Sequence, residues 1–108
     1  MAKTDDGFYN DGINIYSKKG TNVISSEKGK VIYSGNEIPG YGNLILIKHS
    51  KNWITAYAHL NDVFIEKGNL VKKGQKIGSV GSTGNVRSPQ LHFEIRRGKD
   101  SVDPLKFL

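Results

Sequence analysis

The feature that most constrains this chain is the way glycine cuts it into short apolar runs. Thirteen of its 108 residues are glycine. Between them, apolar and polar side chains alternate with the period of two that marks β-strands. No stretch keeps a helical period for more than a turn or two. Short strands with frequent turns point to an all-β domain built on an antiparallel sheet.

The clearest strand runs from Val86 to Ile95. Alternation places Gln90, His92 and Glu94 on one face, and Leu91, Phe93 and Ile95 on the other. The second set suits a core. The first is what a site on a sheet face would use. Upstream, the turn signal Asn10-Asp11-Gly12 precedes alternating Ile13 and Ile15. Lys30 to Ser34 reads as a short strand, followed by a loop from Gly35 to Gly42. From Asn43 to His49 both faces are largely apolar, as in a central strand. Ser50-Lys51-Asn52 reads as a hairpin turn, and Trp53 to Leu60 as the returning antiparallel strand. Val63 with Ile65, Leu70 with Val71, and Gln75 to Val80 are further short strands. Gly81 to Gly84 is a glycine-rich turn, and Asp103-Pro104-Leu105 closes the domain. Lys18-Lys19-Gly20-Thr21-Asn22-Val23 echoes Lys72-Lys73-Gly74-Gln75-Lys76-Ile77, as two related β-hammerhead halves would.

A chain of this length supports one domain with a modest core. There is no cysteine, so neither a disulfide framework nor a thiolate site exists. No apolar run of about 18 residues is present, so nothing here reads as a membrane-spanning helix. Residues 1–6 are polar, lack a signal-peptide core, and read as a disordered or appended N-terminus ahead of a domain over 7–108. A secreted parent would carry its targeting segment elsewhere. The net charge of +6 favours anionic partners. The lysines are dispersed among turns with no arginine cluster, which argues against nucleic acid.

Chemistry would have to come from His49, His59 and His92. His49 sits at a turn and reads as structural. A zinc hydrolase needs three nitrogen or oxygen ligands and an open position for water. The carboxylates Asp11, Asp62 and Glu94 show no recognisable ligand spacing. The residues alone leave the site undecided.

Five collinear stretches resemble the LytM (lysostaphin-type) family of cell-wall zinc endopeptidases. They are Asn10 to Asn14, Gly20-Thr21 through Gly35, Gly40-Tyr41-Gly42-Asn43, Tyr57-Ala58-His59-Leu60, and Gly78 to Gly84 running on to Leu91-His92-Phe93-Glu94-Ile95-Arg96. The resemblance covers about Gly7 to Leu108. It implies an antiparallel LytM domain of β-hammerhead or barrel-sandwich-hybrid-like architecture. It also implies metal-ligand positions at Asn10, Asn14 and His92, and auxiliary catalytic positions at His59 and Gln90.

In active members the first two ligand positions are His and Asp, and the position of Gln90 is a second histidine. Asparagine brings no imidazole and no carboxylate charge, and zinc favours both. Glutamine exchanges no proton near neutral pH. The expectation is therefore a vestigial site with no zinc cofactor and no catalysis, most similar to the NlpD and EnvC type of amidase activator within the family. The resemblance then implies a groove lined by Asn10, Asn14, Tyr41, His59, Gln90 and His92. That groove would engage an N-acetylmuramoyl-L-alanine amidase in the periplasm or cell envelope of a Gram-negative bacterium. An outer-membrane anchor would lie in parts of the parent outside this chain. Peptidoglycan itself is a further expected partner. A zinc endopeptidase with unorthodox ligands and a plain peptidoglycan-binding module are the alternatives. A biotinyl or lipoyl carrier is set aside, because neither Lys28 nor Lys51 has the flanks of a modified lysine.

Overall fold

The computed structural model describes residues 12–97 in full, with the backbone of three further segments at Ala2–Lys3, Tyr9–Asn10 and Asp100–Val102. Those segments are β1, β2 and β11. Between them come β3 (Ile13–Tyr16), β4 (Asn22–Ile24), β5 (Gly29–Gly35), β6 (Asn43–Lys48), β7 (Trp53–Val63), β8 (Leu70–Val71), β9 (Lys76–Val80) and β10 (Gln90–Arg97). Among the described residues, β1 pairs with β2 alone. The other nine strands form one sheet with the path β11-β10-β7-β6-β5-β8. β3 adds to β10, and β9 bridges β7 to β4. Every pairing is antiparallel. Ala2–Lys3 thus forms a strand within residues 1–6, and the closing Asp103-Pro104-Leu105 lies outside the described residues.

β7 and β6 are the interior strands expected from their apolar content. β7 pairs with both β10 and β6, and its inward residues carry the core. Ile45, Ile47, Tyr57, Leu60 and Ile77 are fully buried there with Val31. Each large apolar side chain contributes roughly 1.5–3 kcal/mol by leaving water. A smaller cluster of Leu44, Ala56 and Ala58 lies with Tyr33, Ile38, Tyr41 and Leu46. Alternation puts these residues of β6 and β7 on the face opposite the main core.

Several element boundaries differ from the sequence reading by a residue, and Ile65, expected in a short strand with Val63, lies in no strand. Two differences are larger. β10 begins at Gln90, and Val86 to Pro89 belongs to the preceding loop. Pro89 has no N–H to give to a ladder. β7 continues to Val63 instead of stopping at Leu60. It passes through His59 in a left-handed backbone, φ +65°. The pairing register shifts on both sides of that point.

The sequence echo has a structural counterpart. Thr21 N–H bonds the Lys18 carbonyl at 3.0 Å, and Gln75 N–H bonds the Lys72 carbonyl at 3.1 Å. Gly20 (φ +92°) and Gly74 (φ +80°) take the third place of these turns, where a type II turn requires positive φ. The two turns interlock with the strand that follows the other. Gly20 N–H bonds the Val80 carbonyl, and Gly74 N–H bonds that of Ser25, each at 2.8 Å. The hairpin at Ser50–Trp53 carries positive φ at both central residues, Lys51 (58°) and Asn52 (65°). That is the type I′ arrangement whose twist matches the flanking strands.

Beneath that hairpin runs a polar chain through the edge of the core. His49 Nδ1 donates to the Lys28 carbonyl (2.6 Å), and its Nε2 meets Thr55 Oγ1 (2.8 Å). Thr55 Oγ1 lies 3.0 Å from the Tyr57 hydroxyl, which accepts from the Ser26 N–H at 3.0 Å and lies 3.1 Å from Ser26 Oγ. His49 is thus the structural residue that its sequence position suggests. Tyr57→Phe removes the hub of this chain and strands the partners around it. The expected loss is about 1–3 kcal/mol, read as a melting temperature several degrees lower with the sheet signature in circular dichroism retained.

Candidate functional site

The site is built on the face of β10 that turns away from the main core. His92 faces Asn14 of β3 on one side and Ala58 of β7 on the other. Glu94 faces Ala56. The small side chains of Ala56 and Ala58 leave room above the sheet, and the longer groups of β10 fill its floor.

Glu94 is the anchor of that floor, with only 1% of its surface exposed. Its Oε2 accepts from His92 Nε2 (2.7 Å) and from the Tyr41 hydroxyl (3.2 Å). Its Oε1 accepts from Arg96 Nε (2.9 Å) and Nη2 (2.6 Å). Burial pushes the Glu94 carboxyl up. The hydrogen bonds from His92 and Arg96, and their charges, outweigh it and hold the group below the usual carboxylate range. A carboxylate only accepts, so His92 carries a hydrogen on Nε2.

The other ring nitrogen, His92 Nδ1, lies 2.7 Å from Asn14 Oδ1. An amide can present either its oxygen or its nitrogen, so Asn14 can serve this nitrogen whether or not it bears a hydrogen. Two ligands of one tetrahedral zinc stand about 3.4 Å apart when the bonds are near 2.1 Å. Asn14 and His92 are instead bonded directly to each other. As arranged here these two side chains do not fit a zinc ion. No group of three His, Asp or Glu side chains among the described residues is placed to hold one.

His59 approaches from β7. Its Nδ1 donates to the Thr83 carbonyl at 2.8 Å, and its backbone N–H bonds the Tyr41 carbonyl at 2.8 Å. Burial lowers its pKa, a nearby His92 adds to that, and the Thr83 bond opposes both. The neutral ring that results keeps a lone pair on Nε2. Its centroid is 6.1 Å from that of His92, and Tyr41 stands at the same distance from His92 on another side. Gln90 is buried, and its amide donates to the Ser88 carbonyl at 3.2 Å.

Asn14, Tyr41, His59, Gln90 and His92 together line an open cavity of about 320 Å³. The side chain of Asn10 lies outside the described residues. Tyr41 also forms one wall of a neighbouring apolar trough of about 280 Å³, with Leu44, Leu46, Ile54 and Ala56 along it and Arg96 at its border.

Arg96 and Thr83 are functional neighbours that the sequence reading did not single out, and the anchoring role of Glu94 was missed although that reading put it on the site face. For Glu94 and Arg96 a signal existed, since His92, Glu94 and Arg96 recur at the strand period on one face. Thr83 acts through its backbone carbonyl and leaves no such trace. Its place depends on a close approach of two glycines. A Cβ on Gly42 would lie 2.4 Å from the Thr83 carbonyl carbon, and one on Gly84 would lie 2.5 Å from Gly42 N. Both have positive φ, +63° and +82°.

This fold and site define the class: an antiparallel LytM-type domain with its groove laid across the last long strand. The profile of peptidase family M23 matches residues 8–104, and the chain belongs to that family. It is 47% identical over 102 residues to the cell division protein DipM of Caulobacter vibrioides, covering 92% of this chain and 17% of DipM. It is 48% identical over 99 residues to the murein hydrolase activator NlpD of Escherichia coli, covering 92% of this chain and 26% of NlpD. The chain therefore spans about a quarter or less of these two relatives. Among solved structures, the catalytic domain of the antimicrobial peptidase lysostaphin from Staphylococcus simulans superposes with a TM-score of 0.88 at 31% identity. The match covers 94% of this chain and 80% of that one.

Two outcomes test the site's construction. Glu94→Gln leaves His92 and Arg96 facing a neutral amide, and should cost about 3 kcal/mol. That is the lower end for breaking a buried pair, since the Arg96 side chain is 34% exposed. Because the folded-state pKa of Glu94 is depressed, its stabilisation is present above the usual carboxylate pKa and is lost as pH falls through the folded value. Denaturant melts of wild type and variant should therefore converge in acid. Gly84→Ala should lower stability and shift the His59 ring resonances in NMR, because the Thr83 carbonyl moves.

Proposed function

We propose that this domain is a non-catalytic regulator that activates an N-acetylmuramoyl-L-alanine amidase during peptidoglycan cleavage. The observation that carries the reading is the direct bond between Asn14 and His92. Two positions where the family resemblance implies metal ligands here satisfy each other, and the first of them brings only a neutral amide. Gln90, where the resemblance implies a histidine in active members, offers no titrating proton near neutral pH. What remains is a groove of fixed amide, imidazole and phenol groups beside an apolar trough, suited to recognition. In this reading the chain takes no zinc cofactor, and residues 7–108 are the regulatory unit.

The relatives support the same direction. One is named a murein hydrolase activator and another a cell division protein, and an uncharacterized lipoprotein of E. coli, YgeR, is 48% identical over 99 residues. These names support a place in the bacterial envelope, with anchoring supplied by other parts of the parent protein. No helix among the described residues is long and apolar enough to cross a membrane. Activation requires that the domain bind the open amidase more tightly than the closed one, since a ligand shifts an equilibrium only by its differential affinity. Asn10, Asn14, Tyr41, His59, Gln90 and His92 are the residues assigned to that contact.

Dye release from labelled peptidoglycan tests the proposal. The domain alone should release nothing, and it should strongly stimulate an amidase from the same organism. Release by the domain alone, abolished by a chelator and by His92→Ala, would establish the endopeptidase reading instead. Tyr41→Ala removes the wall shared by cavity and trough, and should weaken amidase binding about tenfold or more if it is a central contact.

A further inference from the structure

The far side of the sheet carries a second open cavity. On β7 and β10, Ile54, Ala56, Ala58, His92 and Glu94 face the groove already described. Trp53, Thr55, Phe93 and Ile95 face the other way. These last four line a cavity of about 390 Å³, closed at its rim by Ser26, His49 and Lys73. A larger hollow of about 690 Å³ adjoins it, sharing Glu27, His49 and Ser50, and brings in Lys28 and Lys72. The two run on from one another around His49 and form a surface longer than a single small ion needs.

Its charge is mainly positive. Lys28, Lys72 and Lys73 have no carboxylate within salt-bridge distance among the described residues. The guanidinium of Arg97 lies 5.4 Å from the Trp53 ring centroid and adds a further cation at the wall. The lone acid in the lining, Glu27, accepts the Lys28 backbone N–H at 3.0 Å. The floor is built rather than incidental. Thr55 and Tyr57 are buried, and their hydroxyls join Ser26 to His49 in the polar chain beneath the hairpin. The hairpin above takes two consecutive left-handed residues, Lys51 and Asn52.

We propose that this cavity is a second binding site, separate from the groove, for a carboxylate-bearing saccharide strand such as the peptide-substituted glycan of the cell wall. Unpaired lysines supply charge for the carboxylates. Trp53 supplies an apolar wall, and the exposed Ser26 and Ser50 supply hydroxyls for hydrogen bonds suited to a sugar. The site would let the domain hold the polymer on one face while the opposite face engages a protein. This goes beyond the regulatory reading and does not require it, because the two faces share no side chain.

The test uses purified protein and soluble, lysozyme-released muropeptide strands, with binding followed by NMR and by sedimentation with intact sacculi. The Trp53 indole and His49 ring signals should shift on titration. The double variant Lys72→Gln/Lys73→Gln should weaken binding about tenfold. Lys18→Gln/Lys19→Gln removes the same charge from the other interlocked turn and should leave affinity nearly unchanged. Equal weakening by both double variants would show a response to net charge only, and would overturn the proposal. So would shifts confined to His59 and His92, or equal binding to vesicles of anionic phospholipid. Amidase stimulation in the Lys72→Gln/Lys73→Gln protein should persist with a soluble substrate, so failure here is distinguishable from failure of the regulatory reading.

Discussion

The groove depends on one buried carboxylate. Glu94 cannot sit beneath the sheet face as an anion unless its oxygens are filled, and His92, Tyr41 and Arg96 fill them. A charge that has lost its water costs several kcal/mol when left alone. The donors around it are therefore held by the penalty of leaving. This single constraint fixes the plane of His92, the tilt of Tyr41 and the path of Arg96, and those three shape both the cavity and the trough. The left-handed backbone at His59 and the glycine contact between the loops add a second ring placed with equal definition.

Much of the fold was legible in the sequence because the strands obey a simple rule. Alternation at Leu91, Phe93 and Ile95 against Gln90, His92 and Glu94 gave the two faces of β10 correctly. The apolar run at 44–47 marked an interior strand. The repeated Lys-Lys-Gly turn was legible as an echo, and the structure shows it as two turns that exchange hydrogen bonds. The strand ends were harder. Val86 fits the alternation by type, yet the proline three residues on removes the donor that a ladder would need there. The length of β7 was hidden because histidine rarely adopts the backbone it takes at position 59.

The candidate site was legible only in part. Position along the chain identified Asn14, Tyr41, His59, Gln90 and His92, and these side chains do converge on one cavity. What no linear reading supplies is who bonds to whom. Asn14 and His92 are 78 residues apart, and their contact follows from the pairing of β3 with β10. The role of Glu94 was hidden for a related reason. A carboxylate at a strand position reads as solvated until the tertiary structure buries it, and only then does its pairing become obligatory.

The polar chain under the Ser50–Trp53 hairpin closes on itself. The Lys28 carbonyl can only accept, so the Nδ1 hydrogen of His49 goes there, and the other ring nitrogen meets Thr55. The Tyr57 hydroxyl, 3.0 Å from Thr55 Oγ1, takes the Ser26 N–H. The line therefore leaves the backbone at Lys28 and returns to it at Ser26, in the same short loop. It acts as a strap buckled around the turn, and it ties that loop to β7 at Thr55 and Tyr57.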